Sequence, residues 1–211
     1  MKGIFFDEIH SYANLNLVLS DINIPPAGVK TNYVDIPGGD GSADLTEALG
    51  EVKFKDRKCS FTFTVFPQDD YEEKKKQLSN LLNGKRCKIK LDKDSGYYWN
   101  GRCSINEYAS NKNLRKIVVG ATVAPYKLKN NETNVVVLSG TSVAVTLSNC
   151  RKTVVPTITC TAETTINFDG NTYTLNAGTH TLLNIELKYG ENHVVVTSSG
   201  QVKFTYQEGD L

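Results

Sequence analysis

The sequence lacks an excess of charge of either sign. Lys and Arg number 24 against 23 for Asp and Glu, which leaves no net field to draw the protein to a nucleic acid or an anionic membrane. Long apolar runs are absent too: no segment approaches the roughly 20 residues of a membrane-spanning helix. The first residues place only Ile4, Phe5 and Phe6 in succession before Asp7. We therefore expect neither a secretion signal nor a membrane partner.

Cysteines in paired motifs are also missing. The five cysteines are odd in number and form no C-x-x-C motif, which argues against a disulfide framework. Cys59, Cys87 and Cys103 lie within alternating strand patterns and are expected to be small buried hydrophobes. A crosslink between Cys150 and Cys160, or a redox role, is the alternative.

Recognisable catalytic motifs are absent as well. The chain contains no G-x-S-x-G, H-E-x-x-H or G-x-x-x-x-G-K-[ST] sequence, so the usual hydrolase, metalloprotease and nucleotide sites are not indicated. The acidic series from Asp40 to Asp44, with Glu51 beyond it, imitates the spacing of a calcium loop, but Leu45 occupies the sixth position, where the turn requires glycine. We expect no catalytic residue, metal or cofactor. A cell-wall glycosidase with paired carboxylates is the enzymatic alternative.

Alternating apolar and polar residues recur along the chain and predict a mainly β fold. The clearest strand runs from Arg57 to Phe66 and ends at Pro67, which cannot continue the hydrogen-bond ladder. In residues 15–24 the apolar positions change parity between Ser20 and Asp21, which predicts a β-bulge there.

One helix is predicted, over residues 69–83. Asp69 or Asp70 can cap its amino terminus, and Leu78, Leu81 and Leu82 fall near one face. Asn83-Gly84 supplies residues suited to the left-handed helix stop.

The polar segment at residues 126–132, YKLKNNE, has no periodicity and predicts a domain boundary. We place the domains at residues 1–130 and 131–211. Beyond the boundary, short strands separated by turns every eight to twelve residues are typical of a β-sandwich, and Asp169-Gly170-Asn171 predicts a tight hairpin. The fold class is therefore two antiparallel β-sandwich-like domains, the first with one α-helix.

Three aromatic residues follow one another at Tyr97, Tyr98 and Trp99. Successive strand residues point to opposite faces, so all three rings cannot enter one core. One ring must face solvent or a partner, and aromatic residues are enriched at the centres of interfaces. We take Trp99 as a candidate inter-subunit contact, with packing inside the domain as the alternative.

The order of the elements resembles that of the siphophage distal tail protein family. The similar segments of the first domain are Ile4-Phe5-Phe6, Leu15-Asn16-Leu17, Pro25-Pro26, the loop from Val34 to Gly41 and the strand from Lys58 to Phe66. The second domain resembles the galectin-like domain of that family, through the segments Ile166 to Gly170, Gly190 to His193 and Val202 to Tyr206. The sugar-contacting His-x-Asn-x-Arg pattern of true galectins is absent, so sugar binding is not implied.

The resemblance implies a structural, non-enzymatic hub in the virion tail. A hexameric ring of amino-terminal domains would join the tail tube protein to a tail-tip or baseplate protein, with carboxy-terminal domains facing outward, a receptor-binding protein as a further partner, and DNA passing through without specific binding. The candidate subunit contacts within the loop are Asp35, Pro37, Gly38, Gly39, Asp40 and Gly41. The alternatives are a receptor- or carbohydrate-binding adhesin, which would use aromatic residues near Trp99 or Tyr173, and a tail tube subunit, which would stack indefinitely.

Overall fold

The computed structural model describes residues 3–48, 50–110 and 115–211. The chain divides into two compact units, Met1–Lys127 and Leu128–Leu211. The mainly β class with antiparallel sheets and one helix, predicted from the sequence, is confirmed. No helix in the described ranges has the length and apolar character needed to cross a bilayer.

The first unit is built on one curved antiparallel sheet. Its elements are β1 (Ile4–Phe6), β2 (Ile9–His10), β3 (Leu17–Asn23), β4 (Tyr33–Asp35), β5 (Ser42–Asp44), β6 (Arg57–Val65), α1 (Tyr71–Leu82), β7 (Arg86–Leu91), a 3-10 turn (Asp92–Asp94), β8 (Tyr97–Ser110) and β9 (Arg115–Val123); β10 (Lys127–Lys129) lies at the division between the units. The strand order in the sheet is β2-β1-β7-β8-β9-β6-β3. The bulge predicted in β3 is confirmed by a register shift between Leu19 and Asp21.

The core of the first unit forms because this sheet curls over itself. In a flat sheet β1 and β6, four strands apart in the order, would be separated by roughly 19 Å. Instead the ring of Phe6 on β1 lies 6.3 Å from Phe61 and 6.2 Å from Phe63 on β6, in edge-to-face geometry. The inward residues of β6 alternate with exposed or half-buried ones, as its sequence predicts.

The helix α1 covers this core with Leu78 and Leu82, which are both buried. Asp70 caps its amino terminus, since the carboxylate accepts hydrogen bonds from the backbone N–H groups of Glu72 and Glu73. Gly84, at φ +76°, follows the helix, as expected for a residue that reverses the chain after a helix end.

The second unit is a sandwich of two four-stranded antiparallel sheets. Its strands are β11 (Thr133–Val137), β12 (Gly140–Asn149), β13 (Thr157–Cys160), β14 (Thr164–Phe168), β15 (Asn171–Leu175), β16 (Gly178–Thr181), β17 (Gly190–Ser198) and β18 (Val202–Tyr206). A short strand, β19 (Gly209–Asp210), follows them and pairs with β10, outside both sheets. The sheet orders are β11-β18-β13-β16 and β12-β17-β14-β15. Ile158, Ile166, Val194 and Phe204 are fully buried between them.

The predicted tight turn of the second unit joins β14 to β15. Phe168 pairs with Asn171, and Asp169 and Gly170 between them have φ of 48° and 77°. Two successive residues with positive φ are the signature of a two-residue type I′ hairpin.

Candidate assembly surface

A two-stranded hairpin stands apart from the core of the first unit. It consists of β4 and β5, which pair only with each other, in the register Tyr33 with Asp44, Val34 with Ala43 and Asp35 with Ser42. Local hydrogen bonds hold it together: Ser42 Oγ donates to Asp35 Oδ1 at 2.7 Å, and the Leu45 N–H donates to the Asn32 carbonyl at 2.8 Å. We call residues 29–54 the hairpin arm, since an isolated bridge between Val29 and Phe54 closes its base.

The tip of the hairpin arm is shaped by a β-turn. The Gly39 N–H donates to the Ile36 carbonyl at 3.1 Å, Pro37 follows Ile36, and Gly38 has φ +78°. Proline at the second position and a glycine with positive φ at the third are typical of a type II turn. Gly41 also has positive φ, at +77°. The Pro-Gly-Gly sequence therefore gives the tip a defined shape without core contacts.

Asp44 is held in its ionised form at the end of β5. The side-chain hydroxyl of Thr46 and then its backbone N–H, which lies 2.9 Å from Asp44 Oδ1, lower the pKa of Asp44 from its ordinary value. The hairpin arm thus keeps a fixed negative charge at neutral pH.

The hairpin arm exposes apolar side chains that have no core to enter. No described residue between 18 and 56 is buried. Its large exposed hydrophobic residues are Val29, Tyr33, Val34, Ile36 and Leu45, of which Tyr33 exposes 59% and Ile36 53% of its surface. An isolated two-stranded hairpin is at best marginally stable in water, and an unpaired strand edge invites pairing with another chain. The arm therefore has the properties of a segment that is stabilised by a partner.

The structure brings six of the seven candidate contact residues together. Asp35 ends β4, and Pro37, Gly38, Gly39, Asp40 and Gly41 form the connection to β5; all six are exposed. Their role as subunit contacts stays a prediction. Sequence reasoning missed the apolar part of this surface, Tyr33, Val34, Ile36 and Leu45. The signal was available, since these residues interrupt a stretch otherwise composed of Gly, Asp, Ser, Thr, Pro and Ala.

The prediction for Trp99 requires correction. Its side chain belongs to the core cluster of the first unit and is only 6% exposed, so the ring has almost no surface left for a neighbouring subunit. Tyr98 instead lies on the outward side of β8, where the Lys88 ammonium sits 5.0 Å from its ring centroid. Aromatic residues stand on both faces of β8 in this segment, so the sequence does not show which face is turned towards the core. Packing in the folded unit decides it.

A histidine–aspartate pair lies near the start of the chain. The His10 Nδ1 accepts the Ala13 N–H at 2.9 Å, so Nε2 carries the proton and donates to Asp92 Oδ2 at 3.0 Å. Burial raises the pKa of Asp92, but hydrogen bonds from the Gly3 N–H and from His10 outweigh burial and leave the pKa lowered. These contacts tie β2 to the 3-10 turn after β7. Across the described ranges, no three His, Cys, Asp or Glu side chains converge in a way that could hold a metal ion.

Solved structures that resemble this chain include one that it matches over its whole length. This is the Dit protein of phage SPP1, described as a paradigm of the hub adsorption apparatus in phages that infect Gram-positive bacteria. The two chains share 14% sequence identity with a TM-score of 0.72, and the match covers 100% of each chain. No curated protein sequence matches the chain.

The family comparison assigns the first unit and the start of the second. Residues 8–139 match the family model described as the phage tail protein RIFT-related domain. The matched range includes the whole hairpin arm and the strands β2 to β11. Since it covers more than half of the chain, this protein belongs to the phage tail protein RIFT-related domain family and is a structural component of a virion tail.

Proposed function

We propose that this chain is the distal hub of a phage tail, and that it works by assembly without catalysing a reaction. The observation that carries the proposal is the hairpin arm, which is locally folded, apolar and exposed, and has no core of its own. The whole-length likeness to a hub protein and the family membership support the same role.

The proposed assembly is a closed ring of six copies, the number that the resemblance to the siphophage distal tail protein family implies. A surface that docks on a different surface of the next copy makes a heterologous contact, which closes into a ring when the rotation permits. The first unit would form the ring, with the tail tube protein on one side and a tail-tip or baseplate protein on the other. The second unit would be free to face outward and to carry a receptor-binding protein, and DNA would pass through the ring without specific binding.

The arm's apolar residues provide the test of this proposal. Purified wild-type protein is expected to sediment as a ring in equilibrium with smaller species, and negative-stain micrographs should show closed particles. Replacing Tyr33 and Ile36 by serine should raise the dissociation constant of the ring at least tenfold, because two large apolar side chains would lose their burial against the neighbour.

The matched control replaces two exposed apolar residues elsewhere. Leu183 and Tyr189 in the second unit expose 76% and 71% of their surface, and their replacement by serine should leave the ring unchanged. A wild-type protein that remains monomeric at hundreds of micromolar would contradict ring formation. Filaments of unlimited length would instead identify a tail tube subunit.

A cavity in the second unit supports carbohydrate binding as a second candidate function. About 400 Å³ in volume, it is lined by the Tyr173 ring and by polar side chains that include Asn171, Asn184 and Glu186. An aromatic ring beside several hydrogen-bonding groups is suited to a sugar. Binding of a cell-wall saccharide that is lost on Tyr173→Ala would support this function.

A further inference from the structure

A row of positive charge crosses the outward face of the first sheet. Lys58 on β6 and Arg102 on β8 are both registered against Thr122 of β9, and Arg86 on β7 is registered against Arg102. Lys58, Arg86, Arg102 and Thr122 are all exposed. One line across four strands thus carries three cations.

Arg86 and Arg102 form a directly opposed pair of like charges. Such cross-strand pairs destabilise a sheet, and no carboxylate in the described ranges forms an ion pair with either guanidinium. Arg102 donates to the Gly84 carbonyl at 2.6 Å, which fixes its position. The sheet would gain stability if an anion from outside were placed between the two guanidinium groups.

The two arginines line a cavity that is open to such an anion. It measures about 610 Å³, and its neutral polar lining residues are Asn83, Asn100, Ser104 and Thr122. One carboxylate, that of Asp56, also lines it and forms no ion pair with either guanidinium. Lys88 lies two positions along β7 from Arg86 and therefore on the same face. We call Lys58, Arg86, Lys88 and Arg102 the basic face.

The hairpin arm has the opposite charge. Its acidic residues are Asp35, Asp40, Asp44, Glu47 and Glu51. Its two lysines, Lys30 and Lys53, lie at the base of the arm, and residues 31–52 between them contain no Lys or Arg. Four of the acidic residues, Asp35, Asp40, Asp44 and Glu47, are exposed, and none of the four forms an ion pair with the basic face of the same chain. Although the whole chain is nearly neutral, its hairpin arm is acidic and its basic face is positively charged.

We propose that the basic face receives the acidic hairpin arm of a second copy of this chain. This inference rests on the proposed ring and names the two surfaces that meet in it. Carboxylates of the hairpin arm, Asp40 at its tip and Asp44 at the end of β5 among them, contact the basic face at the cavity between Arg86 and Arg102. Charge complementarity of this kind selects the partner and fixes its register, while the apolar residues of the arm supply buried area.

Charge reversal in the full-length protein tests this pairing. The variant with Arg86→Glu and Arg102→Glu and the variant with Asp40→Lys and Asp44→Lys should each raise the ring dissociation constant at least tenfold in sedimentation at low salt. Combining all four changes in one chain should restore assembly, since attraction returns with reversed signs. Arg151→Glu with Lys188→Glu, both exposed in the second unit, is the matched control and should have no effect.

Zero-length crosslinking locates the contact independently. A carbodiimide applied to a mixture of isotopically labelled and unlabelled wild-type protein should join Lys58 or Lys88 of one copy to Asp40 or Asp44 of another. Rings that persist in both charge-reversal variants would overturn the pairing while leaving the proposed hub intact. A wild-type protein that never assembles would overturn both.

Duplex DNA is the competing occupant of a basic face. If Arg86→Glu with Arg102→Glu leaves the ring intact but abolishes the fluorescence anisotropy change of a labelled DNA duplex, the basic face binds DNA and the pairing is overturned. If the wild-type ring gives no anisotropy change at low salt, while the charge-reversal variants fail to assemble, the pairing is supported.

Discussion

Replacement of Phe63 by alanine is expected to destabilise the first unit by about 3–5 kcal/mol, the usual loss for a buried phenylalanine. Phe63 is fully buried on β6, and its ring meets that of Phe6 on β1 across the curved sheet. Removal of the ring leaves a cavity at the place where β1 and β6 face each other across the curved sheet. Since domains are stable by only about 5–15 kcal/mol, the loss is a large part of the total.

The sole tryptophan of the chain provides the measurement. Trp99 lies in the same core, so its fluorescence during urea unfolding reports the first unit specifically. The exposed Leu183→Ala serves as the control and should shift the free energy of unfolding by less than about 0.5 kcal/mol. A loss below about 1 kcal/mol for Phe63→Ala would show that this core is not closed by the contact between β1 and β6.

Replacement of Glu208 by alanine is expected to destabilise the second unit by about 3–5 kcal/mol, as removal of a partner from a buried ion pair does. The Glu208 side chain is 7% exposed, and its carboxylate lies 2.8 Å from the Lys129 ammonium. The Thr133 hydroxyl and the Cys150 thiol also donate to it. The loss should fall toward the lower end of the range because the Lys129 side chain is 37% exposed and its ammonium can be hydrated.

The same carboxylate makes the second unit sensitive to acid. Burial raises the pKa of Glu208, but hydrogen bonds from Lys129, Thr133 and Cys150 outweigh burial and leave the pKa below its ordinary value of 4.5. The unfolded chain then binds the proton more readily than the folded chain, so this contribution is complete above about pH 4.5 and is lost as the pH falls through the folded-state pKa. Glu208→Gln should abolish this part of the pH dependence.

Circular dichroism, which detects the strands of both units, gives the measurement for Glu208. The Glu208 variants should lower the midpoint of the unfolding transition assigned to the second unit. The exposed Glu191→Ala is the control and should leave that midpoint unchanged. We propose that the two units are separately folding domains; in that case the Trp99 fluorescence midpoint remains unchanged. Identical shifts of both midpoints would contradict the separation, and an unchanged midpoint for the second unit would contradict the role of Glu208.

Local elements were predictable wherever one short segment carries all of the necessary information. The alternation from Arg57 to Val65 specifies β6 because residues two apart share a face, and the parity change near Ser20 specifies the bulge in β3. Helix α1, predicted at 69–83 and observed at Tyr71–Leu82, follows from its cap and its leucines. The chain divides after Lys127, whereas we placed the boundary after residue 130; the assignment of two separate domains stays a prediction.

The candidate assembly surface was predictable only in part. Proline, glycine and aspartate between residues 35 and 41 indicate an exposed turn, because these residues favour turn geometry over a packed core. The same rule says nothing about Trp99. Residues 97–99 are all aromatic, so the alternation along the strand does not show which rings face the core and which face outward. The prediction for Trp99 was wrong for that reason, and its neighbour Tyr98 lies outward.

The sequence by itself determined the strands, the single helix, the turn residues and the acidic character of the arm, all of which depend on neighbours a few positions apart. Only the tertiary structure decided which strands lie side by side. Strand pairing sets Arg86 against Arg102 and Lys58 against Thr122, and folding of the chain end brings Glu208 to Lys129. Periodicity fixes which residues of one strand share a face, whereas the identity of the adjacent strand depends on burial summed over the whole unit.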